Sequence, residues 1–529
     1  MQKKTLFLLI VILVIAAFFR MWKLNEIPPG LYPDVALNGT QAFEALKTGN
    51  FKLFYPENNG REGLIMWLIA LSFWIFGVSI WSIKIVAAIF GTLTILGLFL
   101  LVKELFDNEN LALLASFFLA TSFSHTLFSR IGFRAILLPF FLVFSFYFLF
   151  KGFKRWKIRD FIIAGIFFGL GFYTYISFRF AVLILPSVLI PHWLIYKKPI
   201  VHIQEGQSKN FLLSAFYFLL TTFIVALPIG LYFLKHPLDL IGRATPISIF
   251  AAKNPLKELV KSLVIHLGMF NFYGDANWRH NFAKSPMFPP VLGILFIIGI
   301  VLSLREILKK YNYQNKNYKL LSIFYFLLST FFVMLLPGIL TREGIPHFLR
   351  TMGVIPVVYI FVALGFCSIY NWLNKNQKHR TLLLAAVFLF LIAIGITEFN
   401  KYFNLWAKNP EVPRAYEKGY LDMGNFLNSL PEETQKYVIV NDFSSPLYGI
   451  SIPGQSLMFV ELSNFGRLRS IYLKAEDLNQ IKTPIVYTQE GPKVIIVPLY
   501  PSRLMRELSK TFPEGSVKEI NGVKFYEID

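Results

Sequence analysis

Apolar runs of about 20 residues recur along most of this chain, and no other feature limits its possible folds so strongly. A helix rising about 1.5 Å per residue needs about 20 such residues to cross a hydrocarbon core of about 30 Å. Runs of this kind cover Thr5–Met21, Trp81–Leu101, Leu111–Phe128, Ala135–Phe150, Phe161–Ile176, Phe178–Ile195, Phe211–Leu234, Val291–Leu304, Leu320–Leu340, Thr351–Ile369 and Thr381–Glu398. They predict about eleven transmembrane helices. The first follows Lys3 and Lys4, and bulky Phe18-Phe19-Arg20-Met21-Trp22 follows it. No small-residue cleavage site stands there, so it reads as a retained anchor rather than a signal peptide. One more run, Gly63–Phe76, reaches only about 21 Å as a helix and is predicted to lie at the interface.

Charge then sets direction. Only 16% of the 529 residues are charged, against about 25% in soluble proteins. That excludes an ordinary soluble enzyme and a disordered chain. The net charge is nevertheless +21, from 52 Lys and Arg against 31 Asp and Glu. With the amino terminus cytoplasmic and Gly63–Phe76 not crossing, four short loops collect basic residues on the inner side. They hold Lys151, Lys154, Arg155, Lys157 and Arg159; Lys197, Lys198 and Lys209; Arg305, Lys309, Lys310, Lys316 and Lys319; and Lys375, Lys378 and Arg380. This is the positive-inside pattern. It assigns the excess charge to topology and anionic head groups, so nucleic acid is not an expected partner.

Three parts then face outward: a first loop at 23–80, a large loop at 235–290, and a tail at 400–529. The large loop contains Leu256, Leu259, Val260, Leu263, Val264 and Leu267 at helical spacing, opposite Lys257, Glu258 and Lys261. This predicts an interfacial amphipathic helix. The tail has strand-like Tyr437–Val440 and Lys493–Pro498, a helix from Pro501, and a last strand-like segment at Gly522–Asp529. It reads as a small α/β domain without a Gly-rich nucleotide loop. The expected fold class is mainly α, a polytopic membrane domain at 1–399 followed by a small extracytoplasmic α/β domain at 400–529. The single cysteine, Cys367, permits no internal disulfide, and the eight histidines form no metal-binding motif.

Polar groups at membrane depth cost a few kcal/mol each, so those retained near the spans suggest function. They gather on the outer side. The first loop carries Asp34 and then Asn58-Asn59-Gly60-Arg61-Glu62. Later outward turns carry Ser129-Arg130 and Arg134, then Tyr173, Tyr175 and Arg179. The large loop carries Asp275, Asn277, Arg279, His280 and Asn281, and the next turn Arg342, Glu343, His347 and Arg350. One or two carboxylates among several arginines suit a substrate bearing a phosphate. Each residue alone also has a structural reading: Asp34 as a helix cap, the arginines as snorkelling side chains, the histidines as interfacial hydrogen-bonders. The joint placement on one face is the signal.

These segments resemble the GT-C superfamily of glycosyltransferases, and within it the protein O-mannosyltransferase and lipid A aminoarabinose transferase type (bacterial glycosyltransferase family 39-like). The resemblance covers about residues 5–410. It rests on Asp34 after a Pro/Tyr-rich stretch, the helix end Ala42 to Gly49, the Gly-rich approach to Arg61–Glu62, the run ending in Phe76-Gly77, Phe90-Gly91-Thr92-Leu93-Thr94 and Lys103-Glu104-Leu105-Phe106. It implies an integral membrane enzyme that moves a sugar, with inversion, from a polyprenyl-phosphate donor to an acceptor hydroxyl of a protein or glycolipid on the outer face of the cell membrane. Asp34 then matches the catalytic general base. Many members carry Asp-Glu where this chain has Asp34-Val35, so a second acid is expected elsewhere, at Glu62 or Glu343. The donor and acceptor site is expected to draw on Arg61, Arg130, Arg134, Tyr175, Arg179, Arg279, His280, Asn281, Glu343, His347 and Arg350. No Asp-x-Asp or Trp-Trp-Asp motif is present, so neither a metal nor another cofactor is expected. The alternatives are a transporter or flippase for a lipid-linked sugar, which predicts mid-span acids and repeated halves, and a non-catalytic envelope assembly protein.

Overall fold

The computed structural model describes residues 2–197, 207–242, 245–309, 318–376, 380–442, 446–447, 450–482 and 493–528. Lys198, Lys310, Lys316 and Lys378 of the basic loops lie outside the described residues.

The apolar runs fold as helices. The membrane body consists of α1 (Lys3–Met21), α2 (Pro33–Thr48), α3 (Leu64–Phe76), α4 (Ile80–Phe106), α5 (Glu109–Thr121), α6 (Phe123–Phe128), α7 (Leu137–Arg155), α8 (Ile158–Gly171), α9 (Leu185–Lys197), α10 (Gln207–Lys235), α11 (Pro237–Ile241), α12 (Pro255–Gly268), α13 (Pro290–Leu308), α14 (Tyr318–Ile339), α15 (Ile355–Leu373) and α16 (Arg380–Phe399). Among the described residues, nine helical stretches are long and apolar enough to cross a membrane; α3 and α5 are shorter apolar helices. Two expected spans are thus shorter or broken. The run at 111–128 divides at Ser122, whose hydroxyl caps α6 by accepting the His125 N–H and also accepts a hydrogen bond from Tyr359. The run at 161–176 is helical only to Gly171. The chain then turns through Tyr173–Tyr175 and re-enters as a 3-10 helix, Ile176–Ile184, that leads into α9.

Helices of a membrane protein gain little from hydrophobic exclusion against lipid, so close packing holds them. Glycine supplies it where α13 crosses α15. A Cβ on Gly299 would lie 2.0 Å from the Phe361 carbonyl oxygen, and one on Gly365 2.0 Å from that of Leu295. The basic turns meet at one end of the bundle. Lys154 at the end of α7 pairs with Glu104 at 3.5 Å and with Asp107 of the α4–α5 turn. Lys151 faces Asp160 of α8 at 3.5 Å. At the other end, Lys84 of α4 donates to Pro28 O at 2.9 Å, beside the first loop. The amphipathic helix predicted in the large loop is α12. It leaves Leu256, Val260, Val264 and Leu267 exposed, while Leu259 and Leu263 pack on the body.

A π-helical turn, Asn400–Trp406, leads into the tail, which holds α17 (Glu411–Ala415), α18 (Lys418–Ser429), α19 (Gln455–Phe465) and α20 (Pro501–Thr511). The first loop contributes a short hairpin, β1 (Phe54–Tyr55) and β2 (Arg61–Glu62). The tail contributes β3 (Gln435–Val440), β4 (Pro446–Leu447), β5 (Ile450–Ser451), β6 (Ile471–Lys474), β7 (Val494–Pro498), β8 (Ser516–Ile520) and β9 (Val523–Ile528). Its main sheet has the order β6-β3-β7-β9-β8. β3 is parallel to β6 and β7, and β9 is antiparallel to β7 and β8. Alternate residues point to opposite faces of a strand. Tyr437 and Ile439 therefore pack with Leu504 and Leu508 of α20, and Val438 and Val440 with Phe426 and Leu427 of α18 and Leu457 of α19. The tail is a three-layer α/β unit.

This unit is docked on the first loop. Phe459 of α19 stacks on Phe73 of α3 at 6.0 Å and lies where a Cβ on Gly39 of α2 would come within 2.6 Å of its ring. Ser456 Oγ donates to Leu31 O at 2.8 Å, and Lys47 Nζ to Gly466 O at 2.8 Å.

Candidate active site

Asp34 occupies the first turn of α2, after Pro33. Proline at the start of a helix costs no hydrogen bond, and the positive end of the helix dipole favours a carboxylate there. Asp34 is half-buried. Its Oδ1 accepts from Asn58 Nδ2 at 2.9 Å. Asn58 belongs to the β1–β2 turn, where Asn58, Asn59 and Gly60 all have positive φ, at 52°, 60° and 82°. Such a run of left-handed residues is costly outside Gly and Asn, and it aims the Asn58 amide at Asp34. Tyr32 stands next to the carboxylate. Burial, and then the charge of Asp34, raise its phenol pKa.

Arg279 lies over the Tyr32 ring, 4.0 Å from its centroid, and its Nε–H is buried without a hydrogen-bond partner. The opposite wall comes from the tail. Tyr416 donates from its hydroxyl to Arg279 O at 3.1 Å, and Glu417 lies close enough to Tyr32 and Arg279 for their charges to interact.

The other predicted residues form three further groups. Arg61 is buried and donates to Asn38 Oδ1 at 2.7 Å and Gln41 Oε1 at 2.6 Å, both on α2. Glu62, the neighbouring residue in β2, instead pairs with Arg134 at 3.0 Å and Arg179 at 3.4 Å. Arg134 also donates to Gly60 O at 3.3 Å and lies over the Tyr175 ring at 5.2 Å. Arg179 reaches Leu240 O at 2.7 Å and covers Phe233. Glu62 is thus the shared counter-ion of two arginines.

The third group joins the large loop to the turn before α15. His280 Nδ1 and Asp275 Oδ2 are 3.1 Å apart, and the same oxygen accepts the Phe348 N–H at 3.0 Å. The His280 and His347 rings lie 4.8 Å apart. Asn281 braces the loop by donating to Asp275 O and Ser285 O. Arg350 donates to Thr341 Oγ1 and to Glu343 O, both at 2.8 Å, while the Glu343 carboxylate stays largely exposed, 4.0 Å from Arg350. Phe133 links this group to the first: its ring is 6.1 Å from Tyr32 and 6.5 Å from His280. Asp275, His280 and His347 offer three ligand atoms within 4.8 Å of one another. Borderline-soft nitrogen and oxygen donors of this kind suit a zinc-type ion.

Arg130 does not share this exposure. It is fully buried, and its guanidinium donates to the carbonyls of Phe19, Trp22, Lys23 and Ile27. It ties the end of α1 to the body. Buried Arg20 and Glu398 belong to the same layer: Arg20 meets His125 at 2.8 Å, and Glu398 accepts the Phe123 N–H at 2.7 Å. These groups sit at helix ends on the side of the first loop.

Asn58, Tyr32, Asp275 and Glu417 were not among the residues expected to form the site. Tyr32, Asn58 and Asp275 belong to the outward polar segments of the sequence; Glu417, far off in the tail, carried no signal.

Residues 64–228 match a family model described as dolichyl-phosphate-mannose-protein mannosyltransferase. The match begins two residues after Glu62 and includes Arg134, Tyr175 and Arg179. Over 232 residues the chain is 28% identical to an uncharacterized protein of Aquifex aeolicus (strain VF5), 41% of this chain and 44% of that protein. The match thus spans less than half the length of that relative. Among solved structures, ArnT from Cupriavidus metallidurans bound to undecaprenyl phosphate is similar with a TM-score of 0.56 at 12% identity, covering 99% of this chain and 97% of that one. The apo form of the same protein gives 0.55 over the same shares. This multi-pass membrane chain thus shares the fold of ArnT along nearly its whole length, and its segment 64–228 is similar to the mannosyltransferase model.

Proposed function

We propose that the chain transfers a sugar from a polyprenyl-phosphate donor to an acceptor hydroxyl on the extracytoplasmic face, with Asp34 as general base. The observation that carries this reading is the setting of Asp34: a half-buried carboxylate held by Asn58, in one polar layer with Arg279, Arg134 and Arg179. In the reaction the acceptor oxygen forms a bond to the anomeric carbon as the bond from that carbon to the phosphate oxygen breaks. The acceptor proton passes to Asp34, and the bonding pair leaves with the lipid phosphate. A single displacement of this kind inverts the anomeric centre. A hydroxyl is a poor nucleophile, so base assistance contributes about 10²–10⁴-fold. Cationic side chains stabilise the phosphate leaving group without a metal. Undecaprenyl phosphate bound to ArnT supports a polyprenyl donor by analogy of fold. The described buried acids of the membrane body, Glu62, Asp160, Asp275 and Glu398, lie in loops or at helix ends rather than at mid-span, which favours transfer over transport.

The test is sugar transfer from a polyprenyl-phosphate donor in proteoliposomes. Asp34→Asn is expected to lower kcat by at least about 10²-fold, and chelator-treated wild type is expected to keep its activity. Near-wild-type turnover by Asp34→Asn would sink the proposal. Loss of activity on chelation would instead give Asp275, His280 and His347 a metal role.

A further inference from the structure

We propose that the carboxyl edge of the tail's sheet is the acceptor site, and that it binds a carbohydrate. This deepens the reading above and rests on it for the reaction, though not for the binding. In an open α/β sheet, ligands bind outside the carboxyl ends of the strands, where neighbouring connections leave for opposite faces. β3 and β7 are such a pair. After the short β4–β5 pair, the connection from β3 enters α19, which packs on one face of the sheet, and β7 is followed by α20, which packs on the other. The two ends are held together just past the strands: Asn441 Oδ1 accepts the Tyr500 N–H at 2.9 Å, and its Nδ2 donates to Tyr500 O at 3.1 Å.

This edge faces the reaction site. Residues 416–418 press on the first loop so closely that a Cβ on Gly30 would lie 2.5 Å from Tyr416 O and 2.9 Å from Lys418 N. Glu417, with φ 51°, lies near enough to both Arg279 and Asp442, just past β3, for charge interaction. Tyr420 donates to Tyr500 at 3.0 Å and lies near both carboxylates.

A second observation points to an absent ligand. Gln455, which begins α19 at this same edge, is fully buried, and neither its Oε1 nor its Nε2 has a partner. Its neighbour Ser456 bonds Leu31 O, so the idle amide lies at the seam between sheet and first loop. A buried amide left unpaired is unfavourable, and a bound polar molecule would satisfy it. Carboxylates accept from vicinal hydroxyls, an amide both donates and accepts, and tyrosine rings offer an apolar face beside a polar tip. That set matches a polyhydroxylated ring better than a polypeptide strand.

Saturation-transfer NMR on the full chain in detergent micelles tests this, with hexose and N-acetylhexosamine disaccharides and a Ser/Thr peptide as probes. At least one disaccharide is expected to bind wild type and Asp34→Asn alike. Glu417→Gln combined with Asp442→Asn is expected to weaken that binding at least tenfold, with Gln455→Ala as an independent variant of the same effect. No disaccharide binding, binding indifferent to all three substitutions, or binding of the peptide alone would overturn the proposal. The assay needs no donor, so sugar binding by a chain that fails to transfer would refute the transferase reading, and with it the acceptor role, and leave the carbohydrate site standing.

Discussion

Glu62 shows what a single side chain does here and what its neighbourhood in sequence conceals. It was expected as a second acid. It is buried between Arg134 and Arg179, which come from residues 72 and 117 positions away, so no local pattern reveals the pairing. Removing one partner of a buried ion pair strands the other charge, at a cost of roughly 3–5 kcal/mol. Glu62→Gln is therefore expected to lower the apparent melting temperature of the purified protein markedly, together with activity. An unchanged melting temperature would return Glu62 to the list of candidate acids. Glu417 behaves differently with pH. Burial raises its pKa, Arg279 opposes that rise, and Asp442 adds to it. A carboxyl with a raised pKa binds its proton more tightly in the folded state than in the unfolded one. Its contribution to stability is thus full below the usual carboxylate range and declines as pH rises through the folded pKa. Glu417→Gln should flatten that part of the stability profile, measured by unfolding between about pH 4 and pH 7.

At the scale of elements, hydropathy made the long spanning helices legible, because each coincides with an apolar run of the sequence. The breaks were not. Ser122 ends α5 through contacts with His125 and Tyr359, the latter more than 200 residues away. The turn after Gly171 depends on Phe178 folding back, its ring where a Cβ on Gly171 would stand. The site divides in the same way. Asp34 and the arginines stand out in the sequence as polar groups in apolar surroundings, whereas the grouping of those arginines depends on tertiary packing. Gly30 offers a direct test of the seam between loop and tail. Its φ of 85° costs a residue with a side chain about 1–3 kcal/mol, and the Tyr416 carbonyl leaves no room for a Cβ. Gly30→Ala should loosen the tail and speed proteolytic cleavage around 407–418. Cleavage at the wild-type rate would show that the seam bears no such load.

For the whole molecule, the arrangement predicts sidedness. The turns joining α4 to α5 and α7 to α8 meet through Lys154 at one end, and the first loop and the tail meet at the other. With Cys367 replaced by serine, single cysteines introduced as Asn50→Cys and Lys524→Cys should react with an impermeant maleimide added to intact cells, and Arg155→Cys should not. Labelling of Arg155→Cys alone would invert the topology.

The docking of α19 on α2 also fixes when the site can exist. The helix that bears Asp34 is covered by Phe459, and Ser456 ties the residues just before it. Some 420 residues of chain separate the carboxylate from its cover. A nascent chain still lacking α19 leaves that face of α2 uncovered, so the surroundings of Asp34 are completed only after α19 has been made.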